Sequence, residues 1–369
     1  MIFYSSIIPK CGLIFNQYNI LLYISFQVPI KKVEDNMKIA VLFGGQSSER
    51  DVSISSASQV YKALKEMGHD VIAIDTAMGL IGPEDEAAFM SNTIKPLPPD
   101  INGLKMMKNG LLPVIQSGKL EDRDVCFLAL HGGNGENGMM QGFLDIMGIP
   151  YTGPNHTSSA CCMDKDITKT LFVRNGVPTP KWMMMPVTAE KAVAELGLPL
   201  VVKPNKEGST VGLTVVKDIK DFDNAVKFAY NYDTEVMLEQ FIPGREFTVG
   251  VLDGQALAAG EIIPKLSEIF DYQSKYMPGG SEEIFPAPIS KELSDRMRQI
   301  ALDAAKAAKI ESYCRVDFRL DKDDNLFVLE INTLPGMTSA SLLPKSAKAV
   351  GISFGQLCER ICTMALRRK

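Results

Sequence analysis

The chain has 369 residues, 46% of them hydrophobic and 22% charged, which is enough for two or three domains with buried cores and excludes a disordered or fibrous polymer. A net charge of −5 gives nucleic acid or an anionic membrane no general reason to bind. Seven cysteines without a C-x-x-C pair, and three dispersed histidines, exclude a zinc cluster or disulfide framework and fit a reducing, cytoplasmic setting.

In chain order, the first 36 residues are apolar and aromatic, but Leu13–Val28 holds Asn16, Gln17, Asn19 and Gln27. That stretch is too short and too polar for the ~20 apolar residues of a spanning helix. It also lacks the basic start and small-residue cleavage site of a signal peptide. Met37 is read as the natural start, with 1–36 an extension outside the natural protein.

"MKIAVLFGG" (37–45) then predicts a strand ending in a glycine turn, 49–69 a helix with Val60, Leu64 and Met67 on one face, and 70–76 a second strand. Strand, turn, helix and strand make a βαβ unit of a parallel sheet. Residues 78–120 read as irregular, with Pro96, Pro98 and Pro99 marking loops. "DVCFLAL" (124–130) is a buried strand running into the glycine-rich turn "HGGNGENG" (131–138).

After a first domain ending near Asn155, one helix is expected over 158–176. The strand 198–204, the glycine-rich turn "NKEGSTVG" (205–212), the return strand 213–218, a helix at 219–230 and the strand 235–242 form a small α+β unit. "REFTVGVLDG" and "ALAAGEIIP" pair as a hairpin, and 265–288 is an aperiodic excursion of the kind that closes a site. A helix at 291–309, a hairpin turning at "KDDN" and a terminal helix at 353–366 complete the chain.

The strand "LFVLEIN" carries Glu330 and Asn332 on one face, where a buried carboxylate is costly unless paired or bound to a metal. Its partner "CRVDFRL" offers Arg315 and Asp317 at the same spacing. The three oxygen-bearing side chains suit magnesium, which keeps phosphate oxygens in its shell. An ordinary salt bridge from Arg315 to Glu330 or Asp317 explains the same residues equally well. In "VVKPNKEGSTVG", Lys203 ends a strand before a loop whose N–H groups can cradle phosphates. Gly44 and Gly45 leave room for a ligand near a helix N-terminus, where Glu49 is either a ligand group or a cap.

Together and in order, "GGQSSERDVS", "LHGGNGENG", "YTGP", "MDK", "VVKPNKEGSTVG", "LEQFIPGREFTV", "YQSKY", "RVDF" and "LEINTLPGMTSASLLP" resemble the D-alanine–D-alanine ligase family of the ATP-grasp fold, over about residues 37–366. The resemblance implies an α/β (α+β) architecture: an N-terminal parallel-sheet domain (37–155), then central (156–239) and C-terminal (240–369) subdomains that sandwich ATP. It implies ligation of two D-alanines through an acyl phosphate, for peptidoglycan precursor synthesis.

By the same resemblance, Lys165 and Lys203 hold ATP phosphates, Glu239, Gln240, Phe241 and Ile242 contact adenine, and Glu246 the ribose. Asp317, Glu330 and Asn332 bind two magnesium or manganese ions. Glu49 takes the first D-alanine's ammonium, and Arg315 and the Gly336 N–H stabilise the oxyanion. His131, Lys275 and Ser341 bind substrate. Tyr276 bonds to Ser209 and Glu49 and closes the site. The family implies a homodimer, with no nucleic-acid or membrane partner. A D-alanine–D-lactate or D-alanine–D-serine ligase is the nearest rival, although a tyrosine at 276 favours an amine nucleophile. A nucleotide sensor has no use for an oxyanion donor, and "FGGQSS", the one stretch in favour of a Rossmann dehydrogenase, lacks the G-x-G-x-x-G that such an enzyme needs.

Overall fold

In the computed structural model, which describes residues 36–47, 49–91, 110–265 and 279–368, "KIAVLF" forms strand β1 (Lys38–Phe43), buried from Ile39 onward. It lies between β2 (Asp70–Asp75) and β4 (Val125–Leu128) and runs parallel to both. The expected parallel sheet thus holds for these three strands. A two-residue edge strand, β3 (Gly79–Leu80), is antiparallel to β2 and gives the order β3-β2-β1-β4. Ala57, Val60 and Leu64 of the helix Arg50–Glu66 fill the core against β1. Leu357, Cys358, Ile361 and Cys362 of the helix Phe354–Arg367 join that same core, so the last helix packs with the first sheet.

The second sheet is antiparallel: β5 (Trp182–Met184), β6 (Leu200–Pro204), β7 (Thr214–Val216) and β8 (Val236–Gln240) take the order β5-β8-β6-β7. Alternation decides its faces. Leu200, Val202, Val236 and Leu238 pack with the helices Ala189–Leu196 and Phe222–Ala229, leaving Lys203 and Glu239 on the opposite face.

The third sheet contains β9 (Arg245–Leu252), β10 (Gln255–Pro264), β11 (Ser281–Ile284), β12 (Tyr313–Leu320) and β13 (Leu326–Asn332), ordered β11-β10-β9-β12-β13. The helix Lys291–Ala307 covers it with Met297, Ala301 and Ala304, all fully buried. Alanines there let the helix axis approach the sheet closely.

Several expectations need correction. The helix expected over 158–176 is two helices, His156–Met163 and Lys165–Arg174. Asp164 breaks them apart: its backbone is extended and its carboxylate accepts the Ile167 N–H at 3.1 Å, capping the second helix. The segment 78–120 is not wholly irregular, since it contains β3 and the helices Pro83–Met90 and Leu111–Gln116. Pro83 at the start and Glu84, Asp85 and Glu86 in the first turn are the signals that favour the former. The excursion 265–288 contains β11, which pairs with β10, while Lys275 and Tyr276 lie outside the described residues. The strand β5 and the helices Ala189–Leu196 and Leu342–Lys348 were not expected from the sequence.

Candidate active site

Two adjoining clefts share Gly208 and Ser209. Lys165, Lys203 and Glu239 line the first, with Gln240, Phe241, Ile242, Glu246, Asp317 and Glu330. Glu49, His131, Arg315, Asn332, Gly336 and Ser341 line the second. Every site residue expected from the sequence, apart from Lys275 and Tyr276, therefore lines one cleft or the other.

In the first cleft, alternation along β6 and β8 points Lys203 and Glu239 away from the hydrophobic core. Lys203 Nζ donates to Glu239 Oε2 at 2.7 Å, and Lys169 Nζ lies 2.7 Å from Glu239 Oε1. Burial pushes the Glu239 pKa up, but the two ammoniums outweigh it and hold the group down at about 2. Burial likewise brings Lys169 down to about 8, against the opposing pull of Glu239. Lys165 donates to the Glu207 carbonyl at 2.6 Å and stands 3.8 Å from Glu330 Oε2. Its pKa is lowered by burial, with Glu330 acting the other way.

The loop after β6 turns through Ser209 and Thr210 at φ of 48° and 64°. Left-handed backbone costs a non-glycine residue about 1–2 kcal/mol, so the surroundings must enforce this turn. Arg319 braces the far end of the cleft. It donates to the carbonyls of Ile242 and Gly244, each at 3.0 Å, and pairs with Glu246 at 3.2 Å.

Between the clefts, Asp317 of β12 stands opposite Glu330 of β13, and Arg315 opposite Asn332. A β-bulge follows Asp317. Arg315 grips Asp317 through Nε at 2.9 Å and Nη2 at 2.8 Å, while Thr248 and Asn332 donate to the same carboxylate at 2.7 and 2.9 Å. Of the two readings left open by the sequence, the Arg315–Asp317 salt bridge is present in this arrangement. Among the described residues, no group of three His, Cys, Asp or Glu side chains is placed for a metal. The donor chemistry still fits a hard divalent cation: two facing carboxylates and one carboxamide supply oxygen, and phosphate can complete the shell. Asn332 offers its amide nitrogen to Asp317 here, so it would turn over to offer oxygen.

In the second cleft, Glu49 occupies the N-cap position of the helix Arg50–Glu66 but makes no side-chain cap bond there. Its carboxylate instead accepts the Ser209 hydroxyl. Two glycines make room for it: a Cβ on Gly132 or on Gly208 would come within 2.9 Å of Glu49 Oε2. The Gly44–Gly45 turn has a different use from the one expected. A Cβ on Gly44 would lie 2.5 Å from Asp75 and 2.6 Å from Arg50, so the buried Arg50–Asp75 pair fills the space assigned to a ligand.

Two further side chains hold the segment 334–337. Glu136 accepts the N–H of Gly132 at 2.8 Å and of Leu334 at 3.3 Å. Burial, and then Glu49, raise its pKa to about 8. Ser56, fully buried, accepts the Met337 N–H at 3.2 Å and meets His131 Nε2 at 3.0 Å. Burial lowers the His131 pKa, which favours a neutral imidazole. The Ser341 hydroxyl accepts the Thr338 N–H at 3.1 Å beside Gly336, where a Cβ would sit 2.9 Å from that hydroxyl. Lys169, Arg319, Glu136 and Ser56 were not singled out from the sequence; only "GENG" gave Glu136 any signal, as part of a glycine-rich turn.

Residues 38–154 match the family model described as the D-ala D-ala ligase N-terminus, and residues 171–363 the model described as the D-ala D-ala ligase C-terminus. The chain is 38% identical over 335 residues to a D-alanine–D-alanine ligase of Gloeobacter violaceus, covering 89% of this chain and all of that protein. It is 40% identical over 330 residues to that of Geotalea uraniireducens, covering 89% and 95%. Among solved structures, the D-alanine–D-alanine ligase of Bacillus anthracis complexed with ATP superposes with a TM-score of 0.71 at 32% identity, covering 90% of this chain and 98% of that one. The ligase of Coxiella burnetii gives 0.72 at 29%, covering 90% and 94%.

Proposed function

The chain belongs to the D-alanine–D-alanine ligase family, and on that premise we propose how its side chains divide the work. It is an ATP-dependent ligase that joins two D-alanines, the step that supplies the dipeptide of peptidoglycan precursors. The first D-alanine's carboxylate attacks the γ-phosphate, giving an acyl phosphate and ADP. The second D-alanine's amine attacks the acyl carbon, and phosphate leaves. The observation that carries the residue assignment is the shared Gly208–Ser209 corner, which adjoins both the lysine-lined cleft and the cleft of Glu49.

Lys165 and Lys203 take the phosphates. The segment Glu239, Gln240, Phe241 and Ile242 takes adenine, and Glu246, held by Arg319, takes the ribose. Glu49 takes the first ammonium and is oriented by Ser209. Ser341 and Lys275 hold the second carboxylate, His131 lines the amino-acid cleft, and Tyr276 closes it. Arg315 and the Gly336 N–H stabilise the tetrahedral oxyanion, where a lost donor of this kind costs ~10²–10³ in rate. Excluding water keeps the acyl phosphate from hydrolysis. Asp317, Glu330 and Asn332 would hold two magnesium or manganese ions, which supply charge neutralisation between the carboxylate and the triphosphate.

We also assign the divisions 37–155, 156–239 and 240–369, a homodimer and a cytoplasmic location. Six described cysteines are all free thiols, which supports a reducing compartment. Among the described residues no helix is long and apolar enough to cross a membrane. The test is ADP release with D-alanine, L-alanine, or D-alanine plus D-lactate across pH. D-alanine alone should suffice. Release that requires D-lactate would move the assignment to the ester-forming relatives.

A further inference from the structure

Lys169 has no place in the roles assigned so far, yet its side chain is 1% exposed and charged groups surround it. It lies four residues after Lys165 on the helix Lys165–Arg174, so both project from one face. Its ammonium is 2.7 Å from Glu239 Oε1 and donates to Thr179 Oγ1 at 2.6 Å. Thr179 in turn donates to the Val328 carbonyl at 2.8 Å, and the Trp182 ring lies 5.3 Å from the ammonium. On the other oxygen of Glu239 sits Lys203, which lines the nucleotide cleft.

We propose that Lys169 is a positioning residue for nucleotide binding: it shares the Glu239 carboxylate with Lys203, so that Lys203 can turn to a phosphate without stranding a buried negative charge. With a single lysine, Glu239 and Lys203 would form a closed buried pair, and breaking it leaves an uncompensated charge. With two, Glu239 stays neutralised after Lys203 departs, and the bond to Thr179 keeps Lys169 from following. The lowered pKa of Lys169, about 8, agrees with a charge held in place by its partners rather than by water. The inference rests on the phosphate role of Lys203.

The test measures the Kd of a non-hydrolysable ATP analogue and the KM values of ATP and D-alanine. Lys169→Met should weaken nucleotide binding about tenfold or more, because ATP must now compete with Glu239 for Lys203. The KM for D-alanine should stay within about twofold, which a general loss of structure would not spare. Adding Glu239→Gln to Lys169→Met should restore affinity to that of Glu239→Gln alone. Wild-type affinity in a folded Lys169→Met, or additive losses in the double variant, would overturn the proposal. Lys203→Met separates the premise: if it binds normally, the phosphate role falls and the inference with it. If it binds poorly while Lys169→Met binds normally, the inference alone falls.

Should Lys169→Met fail to fold, the wild-type chain carries the test. Glu239, Lys203, Thr179 and Trp182 face the ammonium, with Lys165 and Asp166 on its own helix. As pH rises through about 8, Lys169 loses its proton and nucleotide affinity should fall. That fall should be steeper in wild type than in Glu239→Gln, and equal slopes would refute the shared carboxylate.

Discussion

Ser56→Ala removes one buried hydroxyl that meets two partners at once. The Met337 N–H loses its acceptor at 3.2 Å and His131 Nε2 its neighbour at 3.0 Å. Each buried polar group left unpaired costs about 1–3 kcal/mol, so the pair predicts about 2–6 kcal/mol of lost stability and a fall of several degrees in Tm. The variant should also be slow. Met337 follows Gly336, whose N–H is assigned to the oxyanion, and loss of such a donor costs up to ~10²–10³. Partial displacement should therefore lower kcat by about 10–100-fold, while the KM for ATP, bound at the other cleft, changes little. Thermal denaturation and steady-state ADP release read both effects. A Ser56→Ala enzyme that is less stable by the expected amount yet turns over at the wild-type rate would refute the link between Ser56 and the placement of Gly336.

Glu330→Gln should abolish ADP formation while circular dichroism stays native, and wild-type turnover would remove Glu330 from the cation site. Gly208→Ala should raise the KM for D-alanine and lower kcat, because the new Cβ would sit 2.9 Å from Glu49 Oε2; unchanged kinetics would detach Glu49 from substrate. Glu136 has a folded pKa of about 8 against an ordinary value of 4.5, so the native state keeps a proton that the unfolded chain has lost. Its contribution to stability is full below about 4.5 and is lost as pH rises towards 8, by up to about 1.4 kcal/mol per pH unit. Glu136→Gln should thus gain Tm relative to wild type as pH rises from 5 to 8, and a constant difference would contradict the buried, protonated carboxyl.

The strands that build the site were legible because each is an apolar run ended by chemistry-bearing residues. "VVKP" placed Lys203 at the end of β6, and "LFVLEIN" set Glu330 and Asn332 on one face opposite Arg315 and Asp317. Less visible were features fixed by distant contacts. Asp164 looked like one more polar residue in a helical run, but its cap bond to Ile167 divides that run in two. Gly44 looked like ligand space, whereas Arg50, paired with Asp75 from the next strand, occupies it. Glu49 could be cap or ligand group by position alone, and its bond to Ser209, across 160 residues of chain, takes the carboxylate away from the helix end. Lys169, Arg319 and Ser56 carry no local pattern, since their partners come from other elements: Glu239 on β8, the Ile242 and Gly244 carbonyls, and Met337.

The central claim is that ATP activates the carboxylate of one D-alanine before the second attacks. D-alanine labelled with heavy oxygen in its carboxylate, turned over with unlabelled ATP, tests this most directly. One labelled oxygen should appear in the released phosphate for each dipeptide formed. Phosphate that carries no label, with dipeptide still produced, would contradict an acyl phosphate and the site built around it.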